Sequence, residues 1–221
     1  MSRRWLASGL VLAGGLVLAA TAAQAVEPPN VQAQHVYIVD YNTGSVLYDK
    51  AGTEKLHPAS MSKLMTLYML FDALKRGDVK LTDSFHVSKK AWSTQGSKMF
   101  VPIDGDIVVE DLIRGIIVQS GNDACVVVAE GLAGSEEAFS DRMNKKAAEI
   151  GLKDSHFVNA SGLPDPSHLM TAQDLYLLAH HLFVDFPEFY HYFSEKEFVF
   201  NKIKQGNRNP LLYRRAPASM D

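Results

Sequence analysis

Two short polar stretches carry residue types capable of nucleophilic chemistry. The first is Pro58-Ala59-Ser60-Met61-Ser62-Lys63. A serine and a lysine three apart at a helix start share one face, with Cβ atoms about 5–6 Å apart, so the amine can reach the hydroxyl. Serine is a poor nucleophile until a base takes its proton, and a neutral lysine can be that base if its pKa is depressed. Burial in a dry pocket or a neighbouring cation depresses it. The same helix start directs backbone N–H groups toward any oxyanion formed near Ser60. The second stretch is Ser120-Gly121-Asn122, in a break between two apolar helical patterns.

Each stretch also has a plain structural explanation. Ser-x-x-Lys arises often by chance, and a capped helix start with an exposed lysine would produce it. Against this, Leu64, Met65, Leu67, Met69 and Leu70 make the following helix apolar nearly all round. A helix of that kind is buried, which predicts a buried Lys63. The 120–122 triplet either lines a cleft or caps the next helix, with Asn122 capping a helix that begins at Asp123. The two roles can coexist.

The elements that must position these groups are legible in outline. Residues 36–40 and 45–48 are rich in β-branched and aromatic side chains, and Tyr41-Asn42-Thr43-Gly44 supplies turn chemistry, predicting a β-hairpin. Pro58 agrees with a helix that opens at Ser60 and runs to Leu74. Lys75-Arg76-Gly77 closes it, with cations in the last turn and a glycine beyond. Residues 92–106 read as loop. Helical periodicity covers 110–118 and 123–130. Ser135 reads as an N-cap, with Glu136 and Glu137 suited to the first turn of a helix ending at Gly151. Residues 159–167 form a loop, and Thr171-x-x-Asp174 opens a helix to about Phe183. Residues 198–204 alternate apolar and polar, as one strand does.

Composition bounds the class. The chain has 221 residues, 47% hydrophobic and 21% charged, with a net charge of −3, enough for one sizeable core and with no basic footprint for nucleic acid. Residues 1–25 read as a secretory signal: Arg3 and Arg4, an uncharged run to Ala20, then the small-x-small site Ala23-Gln24-Ala25. The expected mature body is 26–221, exported across the inner membrane to the periplasm or cell envelope. Cys125 is the sole cysteine. No internal disulfide is therefore expected, and Cys125 reads as a buried, inert thiol. His180 and His181 are adjacent and no His-Glu-x-x-His occurs, so no metal is expected.

Ser-x-x-Lys followed by a Ser-x-Asn triplet is the pattern of the penicillin-binding and β-lactamase superfamily. The chain resembles the serine D-alanyl-D-alanine carboxypeptidases, the low-molecular-weight penicillin-binding proteins, over residues 35 to 215. Asp40-Tyr41-Asn42-Thr43-Gly44, Gly96-Ser97-Lys98-Met99-Phe100, Leu112-Ile113-Arg114-Gly115, Gln119-Ser120-Gly121-Asn122-Asp123-Ala124, Gly162-Leu163-Pro164-Asp165 and Asn207-Arg208-Asn209 look like family signatures in the right order. The resemblance implies an α+β fold, with a helical subdomain beside an antiparallel sheet. It implies Ser60 as the acylated nucleophile, Lys63 as its base and Ser120 as proton relay. Asn122 would hold the substrate's backbone amide. The implied substrate is the D-Ala-D-Ala end of a peptidoglycan stem peptide, with β-lactams as covalent inhibitors and no cofactor.

The family's third motif, Lys-Thr-Gly, is absent; Asn42-Thr43-Gly44 precedes Ser60 and sits in the hairpin turn. The resemblance places that motif shortly after a segment like 207–221. The expectation is therefore a chain ending short of it: the N-terminal part of the catalytic domain, with an incomplete sheet and no activity by itself. Losing one oxyanion donor alone costs about 10²–10³ in rate. Whether a C-terminal domain or a peripheral membrane anchor belongs to a longer product is left open. Three rivals share the pattern: a D,D-endopeptidase, a β-lactamase and a non-catalytic penicillin- or muropeptide-binding protein. A class A β-lactamase needs a glutamate with asparagine four residues on; after Ser120 only Glu197, followed by Asn201, has that spacing, and Asn201 falls in the alternating run expected as a strand.

Overall fold

The computed structural model describes residues 30–214, and the body that carries both motifs begins at Ala33. The expected signal, 1–25, lies outside the described residues. In chain order the elements are strands β1 (Val36–Val39) and β2 (Val46–Lys50), helix α1 (Lys63–Arg76), β3 (Ser84–His86), α2 (Lys89–Ser93), β4 (Asp106–Val108), α3 (Val109–Gln119), α4 (Asn122–Ala133), α5 (Glu136–Glu149), α6 (Ala172–Asp185), β5 (Glu197–Phe200) and β6 (Ile203–Gly206). This is an α+β fold in which the helices make the core. The described strands form three separate antiparallel pairs, β1–β2, β3–β4 and β5–β6.

The most apolar helix is the hub. Residues 122–129 of α4 are all buried, and α4 packs against α1, α2, α3, α5 and β3. Met65, Leu70 and Phe71 of α1, Leu112 and Ile113 of α3, and Phe139 and Met143 of α5 close around it. Each such side chain contributes about 1.5–3 kcal/mol of transfer free energy. Cys125 is fully buried here, and burial pushes its thiol up to about 12.

Helix ends follow local chemistry. Gly77 takes the left-handed conformation at φ 78° and closes α1. Ser135 Oγ accepts the Ala138 N–H, and Thr171 Oγ1 accepts the Asp174 N–H at 3.0 Å, so both expected caps form. The hairpin turn forms as well: Asp40 Oδ1 accepts from the Thr43 N–H and hydroxyl, with Gly44 at φ 70°.

Three expectations change. The alternating run 198–204 is two strands, because Asn201 and Lys202 take φ 48° and 63° and turn the chain, pairing Phe200 with Ile203. Both central residues at positive φ is the tight hairpin geometry, and alternation continued across it. The turn at Ala59–Ser62 is a 3-10 helix, so α1 begins at Lys63 rather than Ser60. Helix α4 starts at Asn122 itself, with Gly121 as the N-cap and no side-chain cap, so Asn122 does not cap it.

Candidate active site

Ser60 is exposed at the mouth of a cleft, on the 3-10 turn that feeds α1. One helical step on, Lys63 is 4% exposed. Its Nζ lies 3.0 Å from Ser60 Oγ and donates to the Ser161 carbonyl at 2.6 Å. A neutral amine has two N–H donors and one lone pair. Fixing an N–H on Ser161 helps aim the lone pair at the serine hydroxyl. Burial is the largest influence on Lys63 and lowers its pKa; the Arg208 cation lowers it further, while a Cys125 thiolate would raise it. With its pKa near 12, Cys125 is a neutral thiol at pH 7, so burial and Arg208 set the direction.

The Ser161 carbonyl is delivered by the loop at residues 159–162. Asn159 Oδ1 accepts the N–H groups of Ser161 and Gly162, and Asn159 Nδ2 donates to the Leu163 carbonyl. Thr66 Oγ1, one position along α1 from Met65, donates to the Ala160 carbonyl at 2.6 Å. Gly162 has φ +79°, and a Cβ there would lie 1.9 Å from the Ala59 carbonyl oxygen. Only glycine admits this approach between the loop and the turn carrying Ser60.

Ser120 forms the facing part of the cleft. Ser60, Lys63, Ser120 and Arg208 line one cavity of about 900 Å³, together with apolar Leu64 and Ile116. Ser120 takes φ 55°, a left-handed conformation uncommon for serine, as the C-cap of α3. Its Oγ is buried with no hydrogen-bond partner. Backbone strain and an unpaired buried hydroxyl together make Ser120 a candidate functional position.

Asn122 stands differently. It is 6% exposed, outside the residues lining that cavity, and its Nδ2 donates to the Gln95 carbonyl at 2.7 Å. Its own N–H donates to the Ser97 carbonyl. Gly96 has φ +86°, and a Cβ there would meet Asn122 Nδ2 at 2.7 Å. The loop is held further by Asp123, fully buried, whose carboxylate accepts the N–H groups of Met99, Phe100 and Val101 as well as Ala124.

The structure thus brings Ser60, Lys63 and Ser120 to one cleft and sets Asn122 in the wall behind. Sequence reasoning missed Asp123 and Arg208 as site groups. The first had a signal: a carboxylate heading the apolar run 124–129 must be paired. Arg208 stood in a family-like segment with nothing local to show that it faced Lys63. Among the described residues no His/Cys/Asp/Glu group could hold a metal.

Residues 22–220 match the family model described as D-alanyl-D-alanine carboxypeptidase. The chain is 45% identical over 198 residues to D-alanyl-D-alanine carboxypeptidase DacC of Escherichia coli, covering 87% of this chain and 50% of that protein. It is 41% identical over 191 residues to DacA of Haemophilus influenzae, covering 85% and 49%. The chain therefore spans about half the length of these curated relatives. Penicillin binding protein 5 from Haemophilus influenzae superposes with a TM-score of 0.83 at 41% identity, over 86% of this chain and 56% of that one. Penicillin-Binding Protein D2 from Listeria monocytogenes, solved in an ampicillin-bound form, superposes with a TM-score of 0.73 at 25% identity, over 84% and 77%. By sequence over nearly its whole length, and by fold, this chain belongs to the D-alanyl-D-alanine carboxypeptidase family.

Proposed function

We propose that the protein is a serine-type D-Ala-D-Ala carboxypeptidase that, with a Lys-Thr-Gly strand completing the site, trims the terminal D-Ala from peptidoglycan stem peptides. The observation that carries this reading is the buried Lys63 amine, 3.0 Å from the exposed Ser60 hydroxyl in a cleft shared with Ser120. Lys63 Nζ takes the Ser60 proton as Oγ attacks the carbonyl of the penultimate D-Ala. The tetrahedral intermediate collapses as the C–N bond breaks. Ser120, whose hydroxyl is otherwise unpaired, relays a proton to the departing D-Ala amine. Asn122 Nδ2 is committed to Gln95, so its contact with the substrate's backbone N–H falls to Oδ1. Water, deprotonated by Lys63, then cleaves the Ser60 ester and leaves a shortened stem.

A β-lactam presents its ring amide to the same attack, and a neighbour of this fold was solved with ampicillin bound. The reading places the protein in the periplasm or cell envelope, delivered there by residues 1–25; cell fractionation with and without those residues tests it. Incubation with a fluorescent penicillin is expected to label the protein covalently and to fail with Ser60→Ala. D-Ala release from a pentapeptide, set against release from a cross-linked dimer and against nitrocefin turnover, separates carboxypeptidase from endopeptidase and β-lactamase. A protein that binds penicillin without a Ser60 adduct would overturn the proposal in favour of non-catalytic binding.

A further inference from the structure

We infer that Glu136 is a positioning residue for the base: its carboxylate, in the first turn of α5, holds the Ala160 N–H and so anchors the 159–162 loop that presents the Ser161 carbonyl to Lys63. The inference deepens the acyl-transfer reading and rests on it.

The geometry is a clamp on one residue, Ala160. Its N–H donates to Glu136 Oε1 at 3.0 Å, and its carbonyl accepts from Thr66 Oγ1 at 2.6 Å. Ala160 is fully buried. The next carbonyl along the chain, Ser161, receives Lys63 Nζ. Thr66 and Lys63 lie three apart on α1 and therefore on one face, so α1 holds both successive carbonyls. Glu136 ties Ala160 itself to α5, while Asn144 of the same helix holds the chain three residues earlier at Phe157. The other oxygen of Glu136, Oε2, is 3.0 Å from Lys90 Nζ of α2, and its side chain is only 12% exposed. The carboxylate is thus fixed at both ends, one on α2 and one on the loop.

The chemical consequence is directional. Lys63 acts as a base only when its lone pair faces Ser60, and the Ser161 carbonyl is the acceptor that fixes one of its N–H bonds. Without Glu136, the Ala160 N–H is buried without an acceptor, and residues 160–161 are left to the α1 contacts from Thr66 and Lys63, with Asn144 holding the chain only further back at Phe157. The Ser161 carbonyl then leaves its line with Nζ. A misplacement of about 1 Å near the reacting atoms can cost about 100-fold in rate. Glu136 acts through hydrogen-bond geometry, because the charged groups that bear on Lys63 are Arg208 and, were it ionised, Cys125. An uncharged acceptor at position 136 should therefore serve almost as well.

The experiment is a stopped-flow acylation series with a fluorescent penicillin, resolving the non-covalent dissociation constant from the acylation rate constant. For Glu136→Ala the rate constant is expected to fall roughly 10- to 100-fold with the dissociation constant unchanged. Glu136→Gln keeps an oxygen for the Ala160 N–H and is expected to stay within about threefold of wild type. Thr66→Val loosens the other end of the clamp, and the double variant should lose much less than the product of the two single losses. An Ala variant as fast as wild type, a Gln variant as slow as the Ala variant, or strictly multiplicative losses would each overturn the inference. Should Glu136→Ala not fold, Thr66→Val alone decides: a rate equal to wild type overturns the clamp. A wild-type protein that takes no label would instead overturn the acyl-transfer reading itself, and this inference with it.

Discussion

On the Lys63 side of the cleft, side chains of α1 donate into main-chain carbonyls of residues 160 and 161. On the Ser120 side, a carboxylate of α4 receives main-chain N–H groups of residues 99–101. In the first wall the group proposed to do chemistry is itself an anchor: Lys63 holds the loop and faces Ser60. In the second the duties are divided, with Asp123 anchoring while the Ser120 hydroxyl remains unpartnered. The lesson is that stability and chemistry should separate by mutation on the Ser120 side and fall together on the Lys63 side.

Lys63→Met breaks the first wall most severely. It removes both the base and the donor to Ser161, and the acylation rate is expected to fall about 10²- to 10⁴-fold, read from penicillin labelling kinetics. The comparison sharpens on the other wall with a pair of variants. Asp123→Ala orphans several buried N–H groups at about 1–3 kcal/mol each, so denaturant unfolding should show a loss of about 3 kcal/mol or more. Ser120→Ala removes a hydroxyl with no partner and should leave unfolding nearly unchanged while slowing acyl transfer. Equal effects of the pair on stability would erase the proposed division of duties.

Gly162→Ala tests the contact between loop and nucleophile turn. A left-handed alanine costs about 1–2 kcal/mol before any clash, and here its Cβ would also press on the Ala59 carbonyl. A loss of about 2 kcal/mol or more is expected, with slower acylation at temperatures where the variant stays folded.

The smallest effect is electrostatic. Acylation needs neutral Lys63, so its rate should rise with pH through a pKa below that of an ordinary lysine. Arg208→Gln removes a cation that lowers this pKa, and the rising limb should move to higher pH. Because Arg208 is exposed, salt should shrink the difference. The same shift enters stability. Between the depressed folded pKa and the unfolded value near 10.5, the unfolded chain holds a proton that the folded chain has lost. Stability therefore rises with pH across that window, and Lys63→Met should flatten the rise in an unfolding series.

Where a feature is decided within a few residues, the sequence alone determined it. Ser60 and Lys63 share a face because a helical turn puts positions three apart together. The turn at residues 40–45 and the Ser135 and Thr171 caps form because side chains there accept backbone N–H groups two or three residues away. Burial of Lys63 followed from the apolar run around it. Where periodicity could mislead, it did: the alternation at 198–204 continued through a tight turn, and Asn122 stood where a cap belongs although its amide was needed by Gln95. Only the tertiary structure decided the partners that lie far along the chain. Ser161 supplies the carbonyl for Lys63 from 98 residues away, and Glu136 fixes that loop from another helix. Asp123 ties down a loop more than 20 residues earlier. Hydrophobic and helical patterns specify which face turns inward. They carry no information about which main-chain carbonyl or N–H will meet that face, because those groups are identical in every residue and are selected only by packing.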